Sequence, residues 1–423
     1  MKHIILIIAL MLSVTASAQQ RYTLDQCRNQ ALAHNARLKM ADNDVMSASQ
    51  GRKEALTNFF PSLSVGGGGM KSNDYMIKMD MGPQTMEMLD GGWYANAMAS
   101  LPIYAGGRIY NGYKMAKLGV EISEIQRCQT ANEVRLTVDQ YYWQIVSLTE
   151  KVRTLESARC LLDTIQRDVA NAVKAGVTKP NDLLQVNLRL NDNRSSYMNV
   201  ENNIDVLKML LAQCMGLEAD SLELAIDTEH PLESPESLFV NHGDAVLATT
   251  EYRLLDKSVE AARLQKKITL GEFLPTVSIS GGYMFQNFMG PSQNSLMGLV
   301  TVSIPISWKA PHSMKKQKLA CENAITQLND GQEQLVIRMR KSQNDLCNAY
   351  QQAILAKKSI EQAAENLRLN ENYYKAGIST MSDLLEAQTL FQQSKDRYSE
   401  AYSTYEIKKT EYFRRRMDYG KRD

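Results

Sequence analysis

Lys174-Ala175-Gly176-Val177-Thr178-Lys179-Pro180-Asn181-Asp182-Leu183-Leu184 returns, with its framework intact, as Lys375-Ala376-Gly377-Ile378-Ser379-Thr380-Met381-Ser382-Asp383-Leu384-Leu385. The Lys-Ala-Gly triplet and the Asp-Leu-Leu triplet keep one spacing in both copies. Two further pairs follow the same order along the chain. Phe60-Pro61-Ser62-Leu63-Ser64-Val65-Gly66-Gly67 answers to Leu274-Pro275-Thr276-Val277-Ser278-Ile279-Ser280-Gly281-Gly282, and Leu101-Pro102-Ile103 answers to Ile304-Pro305-Ile306. Three matched markers in one order predict an internal duplication, with a period too long for a solenoid. Each half, residues 19–230 and residues 231–423, reads as a complete structural unit.

Proline placement divides each unit. None of the ten prolines lies between Ile103 and Lys179, between Asn181 and His230, or after Pro311, so these stretches permit helix. Helical hairpins are expected over about 109–215 and 312–412, with long arms of roughly 90 Å at about 1.5 Å per residue. Such arms need lateral partners. Tyr141, Ile145, Leu148, Val152 and Leu155, then Leu162, Ile165, Val169 and Ala172, recur in steps of three and four, broken at Arg159, which predicts a coiled-coil-like seam. Gly176 and Gly377 fit helix stops that need a left-handed residue. Asp182 and Asp383 then open the returning helices, where a cap is worth about 1 kcal/mol.

Between the helices, strands are expected over about 62–70 and 93–101 in the first half and about 276–285 and 296–304 in the second. Leu296, Gly298, Val300, Val302 and Ile304 alternate with Met297, Leu299, Thr301 and Ser303, as a strand with two unlike faces requires. Each strand is near the roughly 9 to 11 residues that cross a bilayer at a tilt. Four strands per chain fall short of the about eight in the smallest membrane barrels, and an open edge in lipid leaves backbone groups unpaired. A barrel built from them must be shared between chains; the alternative is a soluble sheet packed on the helices. The intervening segments 71–92 and 286–295 read as polar outward loops. Met70, Met76, Met79, Met81, Met86 and Met88 crowd the first, where thioethers suit Cu(I) or serve as adaptable apolar groups.

At the N-terminus, Met1-Lys2-His3 precedes the apolar run Ile4–Val14 and Ala16-Ser17-Ala18, which predicts a signal peptide over residues 1–18. Thereafter no stretch reaches the roughly 18 consecutive apolar residues of a membrane helix. The formal charge of +1 gives no case for nucleic acid. Six scattered cysteines lack metal spacing and read as buried free thiols, with a disulfide open in an oxidising compartment. The five histidines show no zinc-like spacing. Gly66–Gly69 is not followed by the Lys-Ser or Lys-Thr of a phosphate loop and fits a strand end or packing site. Neither a Gly-x-Ser-x-Gly nor a catalytic-cysteine motif occurs. The reading is therefore of a protein that is not an enzyme, with no cofactor and no resident metal site.

The repeated order of helix, Leu-Pro strand, hairpin, Leu-Pro-Ile strand end, long helix and Ala-Gly turn resembles the TolC-like outer membrane efflux family over nearly the whole mature chain. Leu101-Pro102-Ile103-Tyr104-Ala105-Gly106-Gly107-Arg108 is similar to that family's strand-to-helix junction. The second copy departs from it as Ile304-Pro305-Ile306-Ser307-Trp308-Lys309. The resemblance implies a mainly α fold with a membrane β-barrel portion: a homotrimer with a twelve-strand barrel in outer-membrane lipid above a periplasmic α-helical barrel. It also implies partnership with a periplasmic adaptor and an inner-membrane RND or ABC transporter, and passive export of small molecules. Secreted polypeptides or metal ions are alternative cargoes, and a poreless coiled-coil spacer is the rival of another class. Carried over by position, the aperture carboxylates fall on Asp383 and Glu386, with Asp182 in the first tip. The turns Gly176, Val177, Thr178 and Gly377, Ile378, Ser379 would meet the adaptor. Ser379 stands where a basic residue can occur in the family. The segment 217–242 reads as an acidic connector, expected near the middle of the helical tunnel.

Overall fold

Two pairs of length-matched helices dominate the computed structural model, which describes residues 21–80, 82, 85–88, 91–218, 222–226, 231–287 and 292–416. In chain order the elements are β1 (Arg21–Tyr22), α1 (Leu24–His34), α2 (Ala36–Thr57), β2 (Ser62–Lys71), β3 (Ile77–Asp80), β4 (Thr85–Met88), β5 (Gly91–Ala105), α3 (Arg108–Lys174), α4 (Pro180–Met215), β6 (Glu223–Leu224), a 3-10 turn (Pro235–Leu238), α5 (His242–Leu247), α6 (Thr250–Gly271), β7 (Thr276–Gln286), β8 (Gln293–Ser303), α7 (Ala310–Lys375) and α8 (Met381–Arg416). Helices α3 and α7 hold 67 and 66 residues, and α4 and α8 hold 36 each. The signal-peptide residues lie outside the described part. Among the described residues no helix is long and apolar enough to cross a membrane.

The chain divides into two compact units, each drawing on both sequence halves. The first comprises residues up to Asp42, Gln126–Tyr252 and from Gln332 onward. Its largest core gathers Val134, Val138, Trp143, Ile145 and Leu155 of α3 with Cys27 and Ala31 of α1 and Val200, Leu211 and Met215 of α4. The predicted seam runs through it, Ile145 and Leu155 being fully buried. Helix α1 begins at a capping box between Thr23 and Gln26, which satisfies donors that a free helix end would leave unpaired. Arg28 then grips Asp139 with two hydrogen bonds of 2.7 Å, while a third of 2.7 Å reaches Asp25. The Asp139 side chain is fully buried, so its charge depends on that fork.

Segment 217–242 is more than a connector. Glu223–Leu224 pairs in parallel with Arg21–Tyr22, and Leu222 enters the α1–α3–α4 core. Farther on, Leu232, Leu238 and Phe239 pack on Leu346, Tyr405 and Tyr412 of α7 and α8. No disulfide joins the six cysteines. Cys27 is buried, Cys160 is exposed and the other four lie between, so the expectation of buried thiols holds at Cys27 and fails at Cys160, on the solvent side of α3.

The second unit comprises Asn43–Ile125 and Arg253–Gly331. Its sheet is antiparallel in the order β2-β5-β7-β8, so the central pair joins a strand from each sequence half. Strand β5 runs past the expected end at Leu101 to Ala105 through a register shift between Pro102 and Tyr104. Proline has no N–H for the ladder, and a bulge accommodates it. Strand β8 starts three residues earlier than expected and stops before Ile304. Segment 71–92 was expected as loop, yet β3 and β4 pair antiparallel within it, Ile77 opposite Met88 and Met79 opposite Met86; each strand is too short for its alternation to stand out in the sequence.

On α8, burial lifts the Asp396 carboxyl to about 6, with Lys151 acting to lower it and Glu400 to raise it; Lys151 Nζ is 4.0 Å away. The native state therefore holds this proton more tightly than the unfolded chain, whose carboxyl titrates near 3.9. Its contribution to stability is complete below pH about 4 and is lost as pH rises through about 6. Two measurements follow. Arg28→Ala should cost about 3–5 kcal/mol by leaving Asp139 buried and uncompensated, read from denaturant midpoints; a loss under about 1 kcal/mol would remove the clamp from the core. In thermal scans from pH 4 to pH 7, wild type should lose stability relative to Asp396→Asn, and parallel curves would contradict a buried, raised carboxyl.

Candidate functional site: helix tips and a two-faced sheet

The tip between α3 and α4 closes by a Schellman pattern. Val177 N–H donates to the Ala172 carbonyl at 2.9 Å and Gly176 N–H to that of Val173 at 3.0 Å. The second tip repeats it, with Ile378 N–H to Tyr373 at 2.9 Å and Gly377 N–H to Tyr374 at 3.0 Å. Both glycines have φ of 71°, a conformation that costs a side chain about 1–2 kcal/mol. The residue after each glycine is apolar and stands in solvent, Val177 being 80% exposed and Ile378 74% exposed.

The carboxylates of the tips are held differently. Thr380 caps α8: its hydroxyl accepts from Asp383 N–H at 3.2 Å, and Asp383 Oδ2 accepts from both the Thr380 N–H at 2.8 Å and its hydroxyl at 2.7 Å. Hydrogen bonds from the Thr380 side chain and backbone hold the Asp383 carboxyl below its ordinary value. In the first tip Lys179 occupies the cap position without a side-chain hydrogen bond, and Thr178 instead donates to Asp182 at 2.6 Å. Tyr374 at the end of α7 lies against this pair. Burial raises its phenol, the Asp182 charge raises it further, and a hydrogen bond with Thr178 lowers it.

Beneath the turns the hairpins share one core: Leu162, Ile165 and Val169 of α3, Val186 of α4, Leu367 of α7, and Met381, Leu384 and Leu385 of α8. The leucines of the repeated Asp-Leu-Leu triplet thus anchor the second tip, while Asp383 and Glu386 remain exposed, three residues apart and hence neighbours on α8. Ser379 is half-buried, and its hydroxyl has no hydrogen-bond partner among the described residues. Tyr374 and Thr380 were missed in the sequence reading; Thr380, three residues before Asp383, is a legible cap signal, whereas the Tyr374 contact joins positions almost 200 residues apart.

The sheet separates by face. Because directly paired residues share a side, the register puts Leu63 and Val65 of β2, Trp93, Ala97 and Leu101 of β5, Ile279, Tyr283 and Phe285 of β7, and Leu296, Val300 and Val302 of β8 on one face. Trp93 stacks on Phe285 at 4.6 Å near one end, and Tyr104 lies near the other. The opposite face carries Ser62, Ser64, Asn96, Ser100, Ser278, Ser280, Gln293 and Thr301, with methionines among them and no charged residue at any paired position from Ser62 to Met70 or across β7 and β8. The Gly66–Gly69 run gives this side its room: a Cβ on Gly66 would meet Asn96 Oδ1 at 2.9 Å, and one on Gly68 the Tyr94 ring at 2.9 Å.

The sequence profile of the outer membrane efflux protein family matches residues 27–217 and 255–410, and the chain belongs to that family of outer-membrane proteins. Comparison with curated proteins finds no significant match. Among solved structures, the outer membrane channel CmeC of Campylobacter jejuni is similar at 15% identity and a TM-score of 0.78, covering 93% of this chain and 85% of that one. The outer membrane protein VceC of Vibrio cholerae aligns at 14% identity and a TM-score of 0.75, with 93% and 95% covered. The outer membrane channel MtrE of Neisseria gonorrhoeae, solved in an open state, aligns at 16% identity and a TM-score of 0.75, with 93% and 88% covered. At such identities the likeness is one of fold.

Substituting Gly377→Ala should fray the second tip by about 1–2 kcal/mol, and Asp383→Ala should weaken the same end by about 1 kcal/mol. Faster amide exchange over residues 373–384, with exchange in α1 unchanged, is the expected result.

Proposed function

We propose that the protein is the outer-membrane exit duct of a tripartite efflux system, passively conducting small molecules delivered by an inner-membrane RND or ABC transporter through a periplasmic adaptor. The observation that carries this reading is the two-faced sheet. A continuous apolar face with aromatic groups near both ends suits lipid, and an uncharged polar face suits a water-filled lumen. Strands of 10 to 15 residues are long enough to cross the hydrocarbon at a tilt. Strands β2 and β8 each expose one unpaired edge within the chain, which hydrocarbon does not tolerate, so the barrel closes between copies.

Three copies supply twelve strands, in keeping with the resemblance to trimeric ducts. The two sequence halves, 19–230 and 231–423, then act as quasi-equivalent staves of one wall. Exposed apolar residues such as Leu184, Leu188 and Val206 on α4 and Ile337 and Leu355 on α7 give neighbouring copies surfaces to bury in a periplasmic helical barrel. At its tip Asp383 and Glu386, with Asp182 near them in sequence-repeat position, form rings of carboxylates that repel one another and collect cations. The reciprocal hydrogen bonds between Thr380 and Asp383 at the start of α8 fit this role, since they favour the ionised carboxylate. Val177 and Ile378, exposed beside their glycines, with Thr178 and Ser379, are the surface offered to the adaptor. A similar channel solved in an open state supports a movable aperture.

The test is native mass spectrometry of detergent-extracted protein, followed by conductance in planar bilayers. A trimer that conducts is expected, and a detergent-independent monomer without conductance would overturn the duct. Asp383→Asn combined with Glu386→Gln should lower cation selectivity, and an unchanged reversal potential would reject their place at the aperture.

A further inference from the structure

Ten of the 22 methionines fall within residues 62–105 and 276–303, and register sets three of them on neighbouring strands of the polar face. Register pairs Gly282 with Met98 on one side and with Met297 on the other, and Met284 follows two residues along the same face. Strands lie about 4.8 Å apart, so Met98 and Met297 face each other across a gap of about 10 Å at the Cα level, with Met284 diagonal to both. Close approach of β5 requires the glycine at 282: a Cβ there would strike the Ala97 carbonyl oxygen and come within 2.9 Å of Met98 Cα and 2.8 Å of Met98 Cγ, so the start of the Met98 side chain lies against Gly282. Each thioether has three rotatable bonds to close the remaining distance. The paired neighbours on this face are Ser64, Asn96 and Ser295, none of which carries a charge.

We propose that Met98, Met284 and Met297 form a thioether site for a soft monovalent cation, Cu(I) or Ag(I), on the lumen side of the sheet. Thioether sulfur selects such ions over hard divalent ones, and the lack of carboxylates nearby removes the competing attraction for Mg(II) or Ca(II). Soft monovalent cations then become a cargo the duct recognises along its wall, an inference that rests on the polar face being the lumen.

Ag(I) is the probe, in chloride-free detergent solution with accessible cysteines alkylated. Replacing the three methionines by leucine keeps volume and apolarity while removing sulfur. Isothermal titration of the full-length protein should show about one Ag(I) fewer per chain in Met98→Leu/Met284→Leu/Met297→Leu than in wild type, and identical isotherms would overturn the site. In wild-type protein with 13C-labelled methionine methyl groups, the three resonances, assigned by single leucine variants, should shift together as Ag(I) is added. Unshifted resonances would also overturn it. Wild type and the triple variant both enter the planar-bilayer assay: Ag(I) binding lost in the variant without conductance in either keeps the site and removes the duct, whereas conductance with identical Ag(I) isotherms keeps the duct and removes the site.

Discussion

Unpaired backbone at the two edges of the sheet is the constraint on which the rest of this protein depends. Strand β5 pairs on both sides and β7 does likewise, but among the described residues β2 and β8 each have a strand neighbour on one side only. Water can satisfy the backbone groups of an open edge and hydrocarbon cannot. An apolar face flanking such edges is stable in lipid only if the edges meet other edges. The duct proposed above meets that condition by pairing β2 of one copy with β8 of another.

The helical part solves a different problem with the same economy of parts. Helices of 66 and 67 residues gain little from propensity alone and are held by packing along a seam. Each returns through a glycine turn onto a shorter partner, and the two tips share a core of leucine, isoleucine and valine side chains. The Asp383 carboxylate accepts from the Thr380 N–H and hydroxyl just before α8, bonds that fix it in place and hold its carboxyl below the ordinary value, and the aperture role proposed for it asks for both. Asp182 instead accepts from the Thr178 hydroxyl at 2.6 Å, beside Tyr374, so the two tips are alike in outline and unlike in their hydrogen bonds.

Much of the fold was legible in the residues. Gly176 and Gly377 marked helix ends correctly because the left-handed turn is a local requirement, and the three-four spacing from Tyr141 to Val169 marked a buried seam because one helix face repeats every few residues. Less legible were the limits of β5, where the bulge at Pro102 depends on what lies opposite, and the β3–β4 ribbon, whose four-residue strands are too short to show a period. The connector 217–242 read as loop because its few apolar residues, Leu222, Leu232 and Phe239, are spaced for two separate cores.

By itself the sequence determined the duplication, the long helices and their stops, the four strands and the absence of any apolar helix able to span a bilayer, since each follows from spacing within a short window. Only tertiary structure decided that β5 and β7 join the two halves, that one face of the sheet is mainly apolar while the other carries most of the serine, threonine and asparagine, that Arg28 closes on Asp139, and that Met98 and Met297 flank Gly282 with Met284 two residues along. Those facts depend on register between strands and helices far apart in the chain. A shift of one residue in that register would turn every side chain to the opposite face.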